Sequence, residues 1–406
     1  EAMLDLRHAP STGQPSSLLP PQVEAAGVAP TTPIARSLTD YPDARCLDGS
    51  PGRYYIRNGT REGQGRFLIF LEGGGFCGTH TECGSRAMSY LGSTKYDEAS
   101  PFKVWEQALF GHPFASSAES ENPLLWNWNH VFVRYCDGAY VSGHRAEPVV
   151  LNGTGIQLYY RGQDIFEAVL QDLTSRHHLA EASDVVFSGC SSGGISTFAH
   201  LDALAARLPG KARVVGFADS GFYLDLPIFT PLKRFVVAAE GQNATGLLDP
   251  KCLAKNPGAE ERCLIGAVIA TYLTTPLFAW QSRYDTDQQS CEMSKECAGT
   301  PSCLEAYGAN LTSELHRALL TNPKHGAFLD SCSRHCQAPA LPHDDASGLT
   351  PTKAFARWYK GGKRSYGQGA RYPCPSCCAA CGFADLNPII SAVLVLLLVA
   401  GVPSLG

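Results

Sequence analysis

The sequence predicts an α/β fold in which a mostly parallel central sheet is flanked by helices. Three observations support this fold class. Short apolar runs that end in polar or glycine-rich turns alternate with helix-like runs from about residue 41 to residue 345. One strand–turn–helix junction carries Gly-Cys-Ser-Ser-Gly at residues 189–193, and an earlier apolar strand leads into three consecutive glycines at residues 73–75. Both motifs fall at the carboxyl ends of predicted strands, where functional groups gather in sheets of this kind.

The predicted strands are short and apolar, and several are rich in β-branched residues, which is typical of buried strands. In chain order they lie in the segments GRFLIFLEGGG, NHVFVRYCDG, DVVFSGC, ARVVGFADSG and PLFAWQSRYD. Helices are predicted for QDIFEAVLQDL and for the segment after Ser191, which should end at Pro209 and Gly210. The apolar positions of this second helix, spaced three and four residues apart, are Ile195, Phe198, Leu201, Ala205 and Leu208.

The segment Gly189-Cys190-Ser191-Ser192-Gly193 matches the G-x-S-x-G pattern of a nucleophile elbow. In such an elbow the central serine, here Ser191, occupies a strained turn that exposes its hydroxyl at the end of the strand. Glycines are needed on both sides because strand and helix pack closely there. The alternative is a structural turn rich in glycine and serine. Ser192 is the competing serine, and we expect it instead to offer its backbone N–H to an oxyanion.

The glycine-rich segment LEGGGFC, residues 71–77, is the candidate for the other half of an oxyanion hole. Successive glycines allow backbone N–H groups to point at a developing negative charge, as in the HGGG-type loops of lipases. Gly74 and Gly75 are the expected donors. An ordinary tight turn is the alternative interpretation of the same residues.

A serine nucleophile requires a base and an acid that orients this base. In hydrolases with this elbow the chain order is serine, acid, histidine, so both candidates must follow residue 191. The segment FAWQSRYDTDQ offers Asp285 and Asp287 after an apolar strand, and Asp285 is nearer to the strand end. The segment LDSCSRHCQ offers His335 between Cys332 and Cys336, on a loop that disulfides can fix. The competing histidines are His316, His325 and His343.

The 16 cysteines are the strongest compositional signal. They are scattered from Cys46 to Cys381 rather than arranged in repeated metal-finger spacings, which favours disulfides and an oxidising compartment. Four N-glycosylation sequons agree, so we expect a secreted or extracellular protein. The sequons begin at Asn58, Asn152, Asn243 and Asn310. The net charge of −5, with 17% charged residues, gives no basic excess for binding nucleic acid.

Changes of composition along the chain predict four regions. Residues 1–40 are rich in proline, serine and alanine without periodicity, which is typical of a disordered lead-in. Residues 41–345 are predicted to form the catalytic domain. A basic, cysteine-rich tail at residues 346–385 and a hydrophobic C-terminal segment at residues 386–406 follow.

The apolar stretch at residues 389–402 has 14 residues, fewer than the roughly 20 that a membrane-spanning helix needs. If it spanned a membrane, the basic stretch before it would lie on the wrong side. A removable lipid-anchor signal fits better, although the polar spacer is poor, and it would attach the protein to the cell surface. A hydrophobic helix buried in the domain, or a disordered segment, is the alternative.

We expect neither a cofactor nor a metal ion at the active site. Zinc binding through four thiolates of the segment CPSCCAACG is an alternative use of that segment. In an oxidised chain, disulfides or acylation are favoured there. The four cysteines are Cys374, Cys377, Cys378 and Cys381.

Seven segments, in a fixed order over roughly residues 41–340, resemble the pectin acetylesterase/Notum family of α/β hydrolases. They are LEGGGFC, RYCDGAYVSG, YYRGQDIFEAVLQDL, SGCSSGG, ADSGFYLD, RYDTDQ and SCSRHCQ. In that family the elbow serine, the aspartate of a Y-D-x-x-Q segment and the histidine of an S-C-x-x-H-C segment form the triad. The implied triad here is Ser191, Asp285 and His335. The implied oxyanion donors, from the EGGG backbone and the residue after the serine, are Gly74, Gly75 and Ser192.

The family has two branches that share this machinery. Plant-type pectin acetylesterases remove acetyl groups from cell-wall polysaccharide, and animal Notum removes a monounsaturated fatty acyl group from Wnt proteins. Gly75 stands where the Notum branch carries Trp, and RYCDGAYVSG and SCSRHCQ resemble the plant branch, whereas ADSGFYLD is closer to Notum. The resemblance therefore implies a serine esterase that removes O-acetyl groups from pectin or a related acetylated polysaccharide. The alternatives are a Notum-like esterase that acts on an acylated protein, and a non-catalytic extracellular binding domain on a hydrolase scaffold.

Overall fold

Strands and helices alternate along the chain in the computed structural model, as the sequence predicts. The structure describes residues 32–97, 112–208, 210–226, 230–293, 297, 300–336, 341–372 and 374. The strands are Ile34–Ser37 (β1), Arg53–Arg57 (β2), Arg66–Leu71 (β3), Asn129–Val133 (β4), Val149–Val150 (β5), Gln157–Leu158 (β6), Asp184–Cys190 (β7), Arg213–Asp219 (β8), Leu277–Ser282 (β9), Gly326–Asp330 (β10) and Ser365–Gly367 (β11).

Nine of these strands form one sheet, in the order β1-β2-β4-β3-β7-β8-β9-β10-β11. The β1–β2 and β2–β4 pairs are antiparallel, and all pairs from β4 to β11 are parallel. Every residue of β4, β9 and β10 is buried, as expected where helices cover both faces of a parallel sheet. The predicted fold class is confirmed. β5 and β6 form a separate antiparallel pair.

The helix that follows the elbow, Ser192–Arg207 (α3), covers the middle of this sheet. Ile195, Phe198 and Leu201 of the predicted apolar face are buried, whereas Ala205 and Leu208 are half-buried. Leu204, which was not part of the prediction, is also buried. The helix ends at Arg207, just before the proline that the sequence identified as its limit. Among the residues that the structure describes, the α-helices are His80–Ala87 (α1), Gly162–His177 (α2), Ser192–Arg207 (α3), Thr230–Val237 (α4), Pro250–Lys255 (α5), Gly266–Ile269 (α6), Thr286–Glu292 (α7), Pro301–Leu315 (α8) and Pro351–Tyr359 (α9).

The sheet extends beyond residues 41–345, the range that the sequence assigned to the catalytic domain. β11 pairs in parallel with β10, and Phe355 and Trp358 of α9 pack against Phe278 of β9. At the other end, β1 lies within the predicted lead-in and pairs with β2. The basic composition around residue 360 concealed α9 and β11, because their buried aromatic residues are separated by lysine and arginine.

The terminal regions of the predicted organisation lie mostly outside the described residues. This applies to residues 1–31 of the lead-in and to the whole hydrophobic segment at residues 386–406. Within the part of the chain that is described, no helix is long and apolar enough to cross a membrane.

Disulfides are present, as the cysteine content predicts. Cys332, beside the predicted catalytic histidine, is also disulfide-bonded. The described pairs are Cys46–Cys136, Cys77–Cys83, Cys190–Cys336, Cys252–Cys263 and Cys297–Cys303.

Candidate active site

Ser191 lies at the junction between β7 and α3, in the strained turn that the sequence predicts. Its φ of 58° and ψ of −124° fall outside the regions that L-residues ordinarily occupy. Its N–H donates to the carbonyl of Asp219 on β8, at 3.1 Å. A Cβ on Gly189 would lie 2.5 Å from the backbone of Gly193, and a Cβ on Gly193 would lie 2.2 Å from the carbonyl oxygen of Leu71. A side chain at either glycine would therefore displace the elbow from the end of the sheet.

Ser191 opens onto a cavity of about 530 Å³ beyond the carboxyl ends of β3 and β7. Gly74, Gly75, Ser192 and His335 line the same cavity, so the structure brings together the predicted nucleophile, base and oxyanion donors. The position of the cavity agrees with the rule that parallel sheets bind ligands at this edge. The remaining lining residues are Phe76, Glu82, Arg86, Tyr90, Leu91, Tyr140, Ile195, Tyr223, Leu232, Lys233 and Asp287.

His335 is held by Asp285, the predicted acid, which is fully buried. Nδ1 of the histidine lies 2.9 Å from Oδ1 and 3.0 Å from Oδ2 of the carboxylate. Asp285 is itself the N-cap of α7, where its Oδ1 accepts the N–H groups of Asp287 and Gln288 at 3.0 and 3.1 Å. These bonds restrain the carboxylate, which in turn fixes the position and tautomer of the imidazole.

The surroundings of His335 raise the pKa of its imidazole above the ordinary value. Burial has the largest effect and lowers this pKa, but the hydrogen bond to Asp285 and the negative charges of Asp285, Asp287 and Asp219 outweigh it. Nε2 of His335 is buried and has no hydrogen-bond partner among the described residues. With Nδ1 directed at Asp285, Nε2 is the atom that can accept a proton in the cavity.

The competing acid, Asp287, has a different partner. Its carboxylate lines the cavity and accepts the hydroxyl of Tyr223 at 2.6 Å. The carboxylate that bonds to the imidazole of His335 is that of Asp285. The geometry therefore favours Asp285 as the acid that orients the base.

The three competing histidines lie elsewhere in the fold. His325 is fully buried and accepts the N–H of Leu277 through Nδ1 at 3.1 Å. Burial is the main reason why its pKa is lowered to about 4. His316 follows α8, His343 precedes α9, and none of the three lines the described cavity. None of them competes with His335 in this geometry.

Two side chains hold the backbone of the glycine loop after β3. Arg86 of α1 donates from Nη1 to the carbonyl of Gly74 at 2.5 Å, and the Tyr135 hydroxyl donates to the carbonyl of Gly75 at 2.8 Å. In a trans peptide the N–H points away from the preceding carbonyl, so these bonds also orient the N–H groups of Gly75 and Phe76. Sequence reasoning missed Arg86 and Tyr135, because neither belongs to the glycine motif.

The glycine loop also touches the elbow directly. A Cβ on Gly73 would lie 3.0 Å from Cβ of Ser191, and Gly75 has a φ of +71° in the region that favours glycine. Close approach at Gly73 and a left-handed backbone at Gly75 are therefore separate requirements that the run of glycines meets.

The loop that carries His335 is connected to the elbow by a disulfide. Cys336, the next residue, is bonded to Cys190, which precedes Ser191. The N–H of Cys336 also donates to the hydroxyl of Ser220 at 3.0 Å. The residues next to the predicted base and the predicted nucleophile are thus joined by one covalent bridge.

Arg334, on the other side of the histidine, is fully buried and pairs with two carboxylates. Nη1 lies 3.0 Å from Asp219 of β8, Nη2 lies 2.8 Å from Asp330 of β10, and the guanidinium lies 4.0 Å from the ring centre of Trp280. Burial is the largest influence on both carboxyl groups and leaves the pKa of Asp330 raised, whereas the charge of Arg334 brings the pKa of Asp219 below its usual value. This network fixes the loop that carries His335 on the sheet.

Within the described part of the chain, no group of three or more His, Cys, Asp or Glu side chains is arranged to hold a metal ion. Of the cysteines considered as zinc ligands, Cys374 is disulfide-bonded. Cys377, Cys378 and Cys381 lie outside the described residues.

Known proteins are similar to this chain over most of its length. The family described as Pectinacetylesterase matches residues 36–379. Pectin acetylesterase 5 of Arabidopsis thaliana is 32% identical over 368 residues, which cover 82% of each chain. Pectin acetylesterase 4 of the same plant is 32% identical over 82% of this chain and 85% of its own. Palmitoleoyl-protein carboxylesterase NOTUM of Schmidtea mediterranea is 33% identical, but over 62% of this chain and 48% of its own.

Proposed function

The chain belongs to the pectinacetylesterase family of carboxylic ester hydrolases, and from this membership we propose that it removes O-acetyl groups from pectin or a related acetylated polysaccharide. The relatives that align with 82% of its length are named pectin acetylesterases. The relatives named as palmitoleoyl-protein carboxylesterases align with 61–71% of it. Overall similarity therefore supports an acetylated polysaccharide as the substrate.

In the proposed first step, Oγ of Ser191 attacks the carbonyl carbon of the acetyl ester. Nε2 of His335 takes the hydroxyl proton, the new C–O bond forms, and the carbonyl π electrons move to oxygen. Asp285 accepts the Nδ1–H of the imidazole throughout and stabilises the imidazolium by its charge. The raised pKa of His335 expresses the same stabilisation in the resting protein.

The oxyanion formed in this step needs preorganised N–H donors. We assign this role to the backbone of Gly74, Gly75 and Ser192, which line the cavity with Ser191. Ser192 is the first residue of α3, so its N–H has no partner within the helix and lies at the positive end of the helix dipole.

The intermediate then collapses. The electrons on the oxyanion re-form the carbonyl, the bond to the sugar oxygen breaks, and this oxygen takes the proton from His335. In the second step water attacks the acetyl-serine, His335 takes a proton from the water, and the serine oxygen leaves with that proton. Acetate is released and the enzyme returns to its starting state.

One observation carries this proposal: a histidine bound to a buried carboxylate shares a cavity with a serine in a strained elbow. The test measures acetate released from acetylated pectin, and labels the protein with a fluorophosphonate whose adduct is located by mass spectrometry. We expect acetate release and an adduct on Ser191. If Ser191 is labelled but no acetate is released from any acetylated polysaccharide, the proposed substrate is wrong. Absence of both labelling and ester hydrolysis would favour the non-catalytic binding domain.

A fatty acyl ester is the second candidate, and the cavity supplies the observation in its favour. Phe76, Tyr140, Ile195, Tyr223 and Leu232 give it an apolar wall, and its volume of about 530 Å³ exceeds the space that an acetyl group fills. Each buried methylene stabilises a bound acyl chain by about 0.8 kcal/mol. A fatty-acyl esterase should therefore hydrolyse aryl esters faster as the chain grows from acetyl to octanoyl.

We expect instead that the rate of aryl ester hydrolysis is highest with the acetyl or butyryl ester and falls as the acyl chain grows longer. A maximum at octanoyl or longer, together with no acetate from acetylated polysaccharides, would assign the protein to acylated protein substrates.

The proposed site of action is outside the cell. The disulfides support this location, because they persist in oxidising compartments. Asn58, Asn152 and Asn310 are exposed sequon residues, whereas Asn243 is half-buried and its amide donates to the carbonyl of His144. Glycans are therefore predicted on Asn58, Asn152 and Asn310. Attachment to the cell surface through residues 386–406 stays a prediction.

A further inference from the structure

An exposed aromatic ring lies at the mouth of the cavity. Tyr90 lines the cavity together with Ser191, yet 57% of its surface is accessible. Met88, two residues earlier, is 60% exposed. Single exposed apolar residues are common on protein surfaces, but an exposed ring that also lines a cavity is placed to contact a ligand there. The site assigned to the reaction itself makes no use of this ring.

Although it is exposed, Tyr90 is anchored by buried neighbours. Nη2 of Arg134 donates to the Tyr90 carbonyl at 2.7 Å, and its guanidinium lies over the tyrosine ring at 5.7 Å from the centroid. Arg134 is only 4% exposed and pairs with Asp97 at 2.9 Å and with Glu72. Glu72 directly precedes the glycine loop that touches Ser191. The ring is therefore held in a fixed position relative to the reacting serine.

Polar groups line the same cavity as the ring. Arg86 and Glu82 of α1 both line the cavity, with Nε of the arginine 3.9 Å from Oε1 of the glutamate. Together they offer hydrogen-bond donors and an acceptor beside an apolar platform. A fatty acyl chain has no use for such groups, whereas a sugar ring has an apolar face and hydroxyls around its edge.

We propose that Tyr90 forms a subsite on which a pyranose ring of the acetylated polysaccharide stacks, with Arg86 and Glu82 binding its hydroxyl groups. This inference rests on the proposed function and names the place where the polymer is held. The C–H groups on one face of a pyranose carry small positive partial charges, and they pack on the negative face of an aromatic ring. An anchored tyrosine supplies this contact area at little cost in conformational entropy.

The first test measures binding without chemistry. The probe is a homogeneous oligogalacturonide, titrated calorimetrically into Ser191→Ala protein. Adding Tyr90→Ala should weaken binding roughly tenfold. Tyr90→Phe should bind within about twofold of the parent, because the ring remains. Tyr96→Ala is the matched control, since Tyr96 is 56% exposed but does not line the cavity, and it should leave binding unchanged.

The second test uses the active enzyme and compares two substrates. Tyr90→Ala should lower the ratio of kcat/KM on acetylated pectin to kcat/KM on phenyl acetate roughly tenfold, and Tyr96→Ala should not change this ratio. If Tyr90→Ala does not fold by circular dichroism, Tyr90→Leu keeps the bulk, removes the ring and should give the same result.

Three results would overturn the subsite. An equal fall on both substrates would show that Tyr90 supports the cavity itself. A selective fall on octanoyl esters would make the ring part of an acyl site. Unchanged oligogalacturonide binding in Tyr90→Ala would exclude stacking of the sugar. If the proposed function itself is wrong, the enzyme with Tyr90 intact would hydrolyse phenyl acetate but release no acetate from polysaccharide. This result differs from the three above.

Discussion

Cys190 and Cys336 form a disulfide that joins the residue before Ser191 to the residue after His335. The two cysteines are 146 positions apart in the chain. Their bond connects the two segments whose side chains must exchange a proton in the proposed reaction. The distance between the proposed nucleophile and the proposed base is therefore constrained covalently as well as by packing.

Removing this disulfide should lower the turnover rate by a larger factor than it lowers the fraction of protein that is folded. Cys190→Ala with Cys336→Ala should lower kcat on phenyl acetate at least tenfold, because a displacement of about 1 Å near the reacting groups can cost a hundredfold in rate. The control is Cys252→Ala with Cys263→Ala, which removes a disulfide of 11-residue separation whose cysteines do not line the cavity. Equal losses in the two double variants, with both folded by circular dichroism, would contradict this prediction.

Ser191→Ala should abolish ester hydrolysis and leave the fold intact. Loss of a triad serine costs about 10⁶ in turnover. Ser192→Ala should lose far less, because the role assigned to Ser192 belongs to its backbone N–H. Turnover of phenyl acetate and thermal unfolding of both variants provide the measurement. The reverse order of the two losses would make Ser192 the nucleophile.

Asp285→Asn should lower kcat by roughly 10⁴ and shift the acid limb of the pH profile to lower pH. His335 must be neutral to accept a proton, so kcat/KM rises with pH through the pKa of this histidine. Asp285 helps to raise that pKa, and removing its charge lowers it. Asp287→Asn should cost much less and shift the limb by a smaller amount. If Asp287→Asn lowered kcat more than Asp285→Asn does, Asp287 would be the acid that orients His335.

Arg86→Met should lower kcat on phenyl acetate by about 10² to 10³, comparable to the loss of an oxyanion donor. The variant removes the hydrogen bond that holds the Gly74 carbonyl and with it the orientation of the Gly75 N–H. Arg86→Lys should restore part of the rate, because an ammonium can also donate to this carbonyl. A rise in KM at constant kcat would instead indicate a role in substrate binding alone.

The strained elbow at Ser191 could be predicted from the sequence because its signal is local. Ser191, its glycines, the strand before it and the helix after it are contiguous, and each requirement of the elbow appears within about twenty residues. Asp285 and His335 could be selected only with the help of the chain order serine, acid, histidine and of the family resemblance. Each of them had competitors of the same residue type nearby. Their pairing depends on β9 and β10 lying side by side in the sheet.

The supporting residues could not be predicted, because their partners come from distant elements. Arg334 pairs with carboxylates on β8 and β10, and Arg86 reaches the Gly74 carbonyl from α1. Neither contact leaves a periodic or motif-like trace in the chain. The extent of the sheet was missed for a related reason, since β1 and β11 are too short to show alternation.

These two short strands limit edge-to-edge pairing of the sheet with that of a second copy of the protein. β1 has four residues and β11 has three, and they form the outer edges of the nine-stranded sheet. Arg36 lies within β1, and Lys363 and Arg364 directly precede β11. Brief, cationic edges offer few unpaired backbone groups to a second sheet, so they oppose edge-to-edge aggregation. Copies of this esterase at high local concentration are therefore expected to stay dispersed.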